Sequence, residues 1–150
     1  MKISNNLNEN KKYIEHLCKG CADVFVRNLE IPRFGKCLVV YLETTLNTFE
    51  ISDLLPLNSM GDAMKALMAG NAILFREGDS QAYKIGSSGY PRMGVTESDM
   101  EKVLRGSKEG FADSVKTNVA LVRKRLRTPA LKVEESFLGN KSNTLVSLVY

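Results

Sequence analysis

Four side chains that could bind a metal ion lie in the N-terminal part of the sequence. Cys18 and Cys21 form a C-x-x-C pair, His16 lies two residues before it, and Cys37 is the third cysteine. Thiolate sulfur and imidazole nitrogen are the ligands that structural zinc sites use. A zinc-binding module from His16 to Cys37 is therefore one candidate function.

The position of the C-x-x-C pair favours reduced, structural cysteines instead. A thioredoxin-like pair needs the N-terminal end of a helix, where the thiolate is stabilised. Here a helical pattern from about residue 7 ends at Gly20, so the pair lies at the C-terminal end of the predicted helix. Cys37 begins an apolar strand and is more simply a core residue. We expect no metal and no cofactor, and zinc binding stays an alternative.

The residues that usually carry catalysis are scarce. His16 is the only histidine, so any scheme that needs a histidine base depends on it. The sequence has no G-x-S-x-G elbow, P-loop or dinucleotide fingerprint. Glu134 and Glu135 are adjacent on a predicted strand, so they point to opposite faces and cannot share a substrate. We predict that the chain is not an enzyme.

Hydrophobic periodicity predicts an α+β fold. The expected architecture is a mixed sheet of about four strands with flanking helices, followed by a long helix and two strands that begin a second α/β subdomain. Predicted strands are 23–31, 36–44, 72–78, 81–86, 132–137 and 144–150, and shorter helices are predicted at 48–55, 63–69 and 96–104. The glycine- and serine-rich stretch 86–94 is the predicted boundary and hinge, which divides the chain into residues 1–90 and 91–150.

The longest helical pattern runs from residue 107 to residue 127. One apolar stripe is expected to face a core, and it consists of Phe111, Val115, Val119, Val122 and Leu126. Ser107 is the predicted N-cap. Asn118 is a poor helix former in the middle of the pattern, so it indicates a hydrogen bond to a neighbouring loop or a polar contact to a ligand.

Positive charge is concentrated around this helix. The net charge of the chain is +4, and the basic residues at the C-terminal end of the helix are Arg123, Lys124, Arg125 and Arg127. A basic helix of this kind can meet phosphates, acidic lipids or an acidic partner. The simpler interpretation is a solvated face that matches the helix dipole. A small nucleic-acid-binding regulatory domain is the alternative function, although base stacking is not indicated because Phe111 is the only aromatic residue of the helix.

The segment from Arg105 to Arg127 contains R-G-S-K-E-G-F followed by T-N-V-A-L-V-R-K-R. It resembles the hallmark segment of spore germination receptor A subunits, the GerA family, which typically reads R-G-P-x-E-G-F and then T-N-x-x-L-I-R-x-R. Ser107 departs from the usual proline. Similarity continues through 70–75, 89–95 and 131–150, so the resemblance covers nearly the whole chain.

This resemblance implies a cytoplasm-facing N-terminal domain of two α/β subdomains, which precedes a membrane domain in the spore inner membrane. The implied partners are the receptor B and C subunits, the membrane domain that this chain lacks, a small nutrient ligand and, as a further option, a second copy of the chain; nucleic acid is not expected. Composition predicts that the chain itself is soluble, and it is either a fragment or the product of a truncated gene. The implied ligand or interface residues are Arg105, Glu109, Asn118, Arg123 and Arg125.

Overall fold

A computed structural model describes residues 2–32, 34–43, 54–86 and 110–150. Seven strands and three helices lie in these ranges. In chain order they are α1 (Leu7–Leu17), β1 (Val24–Ile31), β2 (Gly35–Leu42), β3 (Leu54–Leu57), α2 (Met60–Met68), β4 (Ala72–Arg76), β5 (Ala82–Ile85), α3 (Val115–Arg125), β6 (Val133–Leu138) and β7 (Thr144–Val149). The α+β class is confirmed.

The first sheet has five strands in the order β1-β2-β4-β5-β3, and each neighbouring pair is antiparallel. β2 is an interior strand that is buried on both faces. Leu38, Val40 and Leu42 belong to the core cluster that includes residues of all three helices, whereas Cys37 and Val39 belong to a second cluster on the other face. Burial on both faces explains why this strand is apolar without interruption.

Local capping fixes the two helices that pack on this sheet. The Asn6 side chain accepts a hydrogen bond from Asn8 N at 2.8 Å at the start of α1. At the start of α2, Ser59 Oγ accepts from Asp62 N at 3.1 Å and donates to Asp62 Oδ2 at 2.6 Å. Each cap satisfies an amide that has no partner within its helix.

β3 corrects one prediction. The sequence predicts a short helix over 48–55 that ends before Pro56, but Leu54–Leu57 pairs with β5 as a strand. Proline is tolerated there because β3 lies at the edge of the sheet, where one side of the backbone needs no ladder partner. The expected sheet of about four strands therefore has five.

The second sheet is the β6–β7 hairpin, which is joined to the first part of the chain by backbone hydrogen bonds. Val133 N donates to Gly20 O at 2.8 Å, and Ala22 N donates to Val133 O at 2.9 Å. The turn between α1 and β1 is therefore the structural junction with the hairpin. α3 reaches the same region, since Ala120 packs into the core cluster of the first sheet.

Residues 87–109 lie outside the described part of the chain. The predicted hinge, the predicted helix 96–104 and the predicted Ser107 cap fall largely or wholly within that range, so the division at residue 90 remains a prediction. Among the described residues, no helix is long and apolar enough to cross a membrane.

Candidate functional site

The helix α3 is shorter than the periodicity predicted, and its inward face is different. It begins at Val115 with Ser114 as its N-cap, because Ser114 Oγ accepts a hydrogen bond from Thr117 N at 3.3 Å. Phe111 therefore precedes the helix and is 73% exposed, and Leu126 is also exposed. The predicted core stripe is wrong at both ends; the buried residues of α3 are Val119, Ala120, Leu121 and Arg123.

Arg123 points into the protein rather than into solvent. Its relative exposure is 0%. The guanidinium forms a bidentate ion pair with Asp23, with Nε 2.9 Å from Oδ2 and Nη2 2.8 Å from Oδ1. Its Nη1 donates to the carbonyl oxygens of Thr128 and Leu131 at 2.7 and 3.2 Å. Arg123 thus ties α3 to the start of β1 and to the segment before β6.

The environment keeps this guanidinium charged. Burial alone would lower the pKa of Arg123, but hydrogen bonding and attraction to Asp23 outweigh burial, so its pKa is raised. A bidentate arginine–carboxylate pair is the geometry that best compensates the desolvation of two buried charges. Arg123 therefore cannot meet a lipid headgroup or a nucleic-acid phosphate without leaving the core. The structure corrects the prediction that Arg123 lies on a ligand-binding or interface surface.

Asn118 makes the loop contact that its mid-helix position indicated. Its Oδ1 accepts from Ala112 N at 2.7 Å, and its Nδ2 donates to Ala112 O at 2.8 Å. These two bonds hold the backbone of residue 112 just before the helix, in place of helical hydrogen bonds. The late start of α3 follows from this clamp together with the Ser114 cap.

Replacing Asn118 by alanine should release residues 110–114 and destabilise the fold by about 1–3 kcal/mol, because two partly buried backbone groups lose their partners. Urea unfolding measures the loss, and hydrogen exchange at the Ala112 amide locates it. Asn118→Asp is the matched variant: it keeps an acceptor for Ala112 N but presents a second oxygen to Ala112 O. It should therefore protect the amide better than alanine does. Equal exchange in the wild type and Asn118→Ala would contradict the clamp.

Arg125 is the predicted site residue that lies on the surface. Together with Phe111, Leu121, Val122 and Leu126 it lines an open, mainly apolar pocket of about 390 Å³. A pocket with apolar walls and a cation beside it suits an apolar group that carries a negative charge. Arg105 and Glu109 lie outside the described residues, so of the five predicted positions the structure describes Asn118, Arg123 and Arg125.

The four proposed zinc ligands do not meet at one point: only Cys18 and Cys21 are neighbours. His16 is exposed on α1, Cys18 and Cys21 lie in the core cluster under the helices, and Cys37 lies in the cluster on the other face of the sheet. Within the described ranges, which include all four residues, no group of three or more His, Cys, Asp or Glu side chains could hold a metal ion. The zinc alternative therefore has no geometric support. Cys37 is the buried core residue that its strand predicted.

Two further residues matter here that sequence reasoning did not identify. Asp23 is 1% exposed and neutralises Arg123. Lys132 is the second: the pKa of Cys21 is lowered first by the neighbouring Cys18 thiol and then by the positive charges of Arg123 and Lys132. Asp23 is separated from Arg123 by 100 residues, so no local pattern could have paired them.

Comparison with known proteins identifies a family to which the chain is similar. Residues 46–150 match the family model described as Bacillus/Clostridium GerA spore germination protein. The chain is 31% identical to the uncharacterized membrane protein YfkQ of Bacillus subtilis over 99% of the chain and 34% of that protein. It is 30% identical to spore germination protein XA of Bacillus anthracis over 68% of the chain and 21% of that protein. The chain thus spans about a third or less of these two relatives.

A solved structure shares the fold. The crystal structure of the N-terminal domain of the A subunit of the Bacillus megaterium spore germinant receptor GerK3 superposes with a TM-score of 0.73 and 19% sequence identity. The match covers 100% of this chain and 66% of that one. At this level of identity the likeness concerns the fold alone.

Proposed function

This chain belongs to the GerA family of spore germination proteins, and we propose that it forms part of the N-terminal domain of a germinant receptor A subunit. The observation that carries the proposal is the family match, because it spans residues 46–150 and includes the whole of α3 and the β6–β7 hairpin. Relatives named as spore germination proteins, such as protein XA of Bacillus anthracis, and the fold shared with the GerK3 domain support it.

The proposed role is non-enzymatic coupling. The domain would pass the binding of a nutrient or of a partner subunit to a membrane domain in the spore inner membrane, with the B and C subunits as partners and the domain facing the cytoplasm. Relative movement of two subdomains about residues 86–94 would transmit the signal. Longer relatives support this arrangement, because protein YfkQ is called a membrane protein and the chain covers only 34% of it.

The contact with a partner subunit is proposed at the surface around Arg125. This surface combines exposed apolar groups, Phe111 and Leu126, with the basic last turn of α3. Apolar groups rimmed by arginine are typical of protein interfaces. The nucleic-acid alternative receives no comparable support, because Arg123, one of the phosphate contacts it would use, is buried against Asp23.

Arg125→Glu in the full-length subunit should weaken partner binding at least about tenfold, because an acidic group of the partner that faces Arg125 would then meet a like charge. Co-purification of the B and C subunits from spore membranes measures assembly, and the fall in optical density of the spores measures germination. Lys141→Glu is the matched control, since it makes the same charge change in the exposed hairpin turn. Normal assembly and germination in Arg125→Glu spores would contradict the interface and leave the family role standing.

The reading frame downstream of Tyr150 tests the role itself. Continuation through several apolar segments, each long enough to span a bilayer, with B- and C-type genes adjoining, is the expected result. A stop codon directly after Tyr150 would contradict a role in coupling to a membrane domain of the same subunit.

A further inference from the structure

We propose that Cys18 and Cys21 form a redox-active dithiol, which a small soluble disulfide such as oxidised glutathione converts into an intramolecular disulfide. The site lies at the junction between the first sheet and the β6–β7 hairpin. It does not depend on the receptor role proposed above.

The backbone already brings the two cysteines together. Cys18 ends α1, and Cys21 N donates to Cys18 O at 2.9 Å, which closes a tight four-residue turn. Gly20 has a φ of 77°, a conformation that a residue with a side chain rarely adopts. Such a turn holds its first and last Cα atoms within about 7 Å, and a disulfide needs roughly 4.4–6.8 Å. Both cysteines also belong to the same buried core cluster.

The surroundings give the two sulfurs different roles. The neighbouring Cys18 thiol and the charges of Arg123 and Lys132 together lower the pKa of Cys21 to about 6, against the opposing effect of burial. The neighbouring Cys21 and burial raise the pKa of Cys18. Asp23 offsets part of the positive charge of Arg123. Lys132, in the segment before β6, adds a second positive charge near Cys21. Cys21 is also the cysteine beside the guanidinium, because Cys21 Sγ lies 3.4 Å from Leu131 O, which accepts a hydrogen bond from Arg123 Nη1. Cys21 is therefore assigned as the attacking thiolate, and Cys18 as the thiol that resolves the intermediate.

The position of the pair at the C-terminal end of α1 argued against a reactive thiolate, but positive charges from other elements can stabilise one. A pair at the C-terminal end of a helix receives no stabilisation from the helix dipole, so the thiolate needs another source of positive charge. Arg123 on α3 and Lys132 supply it from elements more than a hundred residues away in sequence. Each cysteine is 7% exposed, which limits attack to small disulfides.

The reaction is an ordinary thiol–disulfide exchange. The Cys21 thiolate attacks one sulfur of oxidised glutathione, a mixed disulfide forms, and one glutathione thiolate leaves. Cys18 then loses its proton and attacks the Cys21 sulfur, and the second glutathione thiolate leaves. The two cysteines lose two electrons to glutathione disulfide; the proton from Cys18 and the proton that Cys21 released on ionisation convert the two leaving thiolates into two glutathione thiols.

Oxidation would alter the junction. When Cys21 is protonated, its thiol donates to the carbonyl oxygens of Leu131 and Pro129 at 3.4 and 3.6 Å. A thiolate can regain these contacts by taking up a proton, whereas a disulfide has no S–H to donate, so oxidation removes these contacts between the turn and the segment before β6 until the disulfide is reduced. The dithiol therefore links the redox state of its surroundings to the attachment of the hairpin.

Tryptic mapping tests the proposal directly, because Lys19 lies between the two cysteines. After exposure of the folded chain to oxidised glutathione and blocking of free thiols, trypsin should release the peptides 13–19 and 20–27 as one disulfide-linked species that separates on reduction. Cys37→Ser should give the same linked species. Cys18→Ser should instead retain glutathione on Cys21. Separate, unlinked peptides after treatment of the wild type, or a disulfide that includes Cys37, would overturn the proposal.

A pH profile of alkylation separates a reactive thiolate from an accessible but ordinary thiol. In Cys18→Ser the neighbouring thiol is lost but Arg123 and Lys132 remain, so the Cys21 midpoint should lie below that of Cys37, whose pKa burial raises. Lys132→Gln should move the Cys21 midpoint upward and leave the Cys37 midpoint unchanged. Equal midpoints for Cys21 and Cys37 in every variant would overturn the assignment of Cys21 as the attacking thiolate.

Discussion

Replacing Asp23 by alanine is expected to destabilise the chain by about 3–5 kcal/mol, because the change leaves a buried charge without its partner. Arg123 is fully buried, and both of its hydrogen bonds to a carboxylate end on Asp23. The remaining bonds to the carbonyl oxygens of Thr128 and Leu131 cannot neutralise a guanidinium. The expected readout is a lower urea midpoint with the slope of the transition retained.

The ion pair between Lys116 and Glu43 is the matched control. It is slightly shorter, with Nζ 2.6 Å from Oε1, but both side chains are solvent-exposed to a substantial degree. Exposed pairs contribute little because water screens the attraction and two long side chains must be ordered. Glu43→Ala should therefore leave the midpoint nearly unchanged. If Asp23→Ala were no more destabilising than Glu43→Ala, the buried ion pair would not hold α3 to the first sheet.

Phe75→Ala is expected to cost about 3–5 kcal/mol, since it removes a ring from a close-packed core. Phe75 is 1% exposed and pairs across the sheet with Leu38, on the face that packs against the helices. Three helices contribute to this cluster, so a cavity beneath them weakens every contact that positions α3. Thermal and urea unfolding should both show the loss.

Phe137→Ala is the control for this substitution. Phe137 lies on the β6–β7 hairpin and is 63% exposed, so its removal leaves no cavity. Its stability change should be small beside that of Phe75→Ala. A comparable loss from the two variants would mean that the hairpin face, and not only the helical face of the first sheet, is part of the folded core of the chain.

Much of the first sheet was predictable because its strands carry strong local signals. The apolar run of β2 indicated an interior strand, and it is buried on both faces. β3 was not predicted, because Pro56 indicated the end of a helix. At the edge of a sheet, however, proline is compatible with a strand. The edge position depends on pairing with β5, which no pattern within residues 54–57 reveals.

The helix α3 shows where periodicity fails. A stripe drawn through apolar residues alone placed Phe111 inward and left Arg123 outside. In the fold, Val119 and Arg123 share the buried face, because a charged side chain can occupy a core position when a partner neutralises it. That partner is Asp23, at the start of a distant strand. Sequence separation likewise concealed the charges of Arg123 and Lys132 beside Cys21.

Asn118 was the more tractable residue, because its signal is local. A polar, poor helix former in the middle of a helix indicates a specific partner, and the partner lies six residues before it. The role of Arg125 at an interface stays a proposal. The structure shows that Arg125 lies beside an apolar pocket, but it does not show what occupies that pocket.

Germination of spores that lack this gene tests the central claim most directly. Spores of the organism that carries the gene should lose the response to one nutrient germinant while keeping their response to others. The full-length gene should restore that response, and a copy that encodes residues 1–150 alone should not. Unchanged germination with every nutrient tested, in spores shown to contain the protein when the gene is intact, would contradict a role as a germinant receptor subunit.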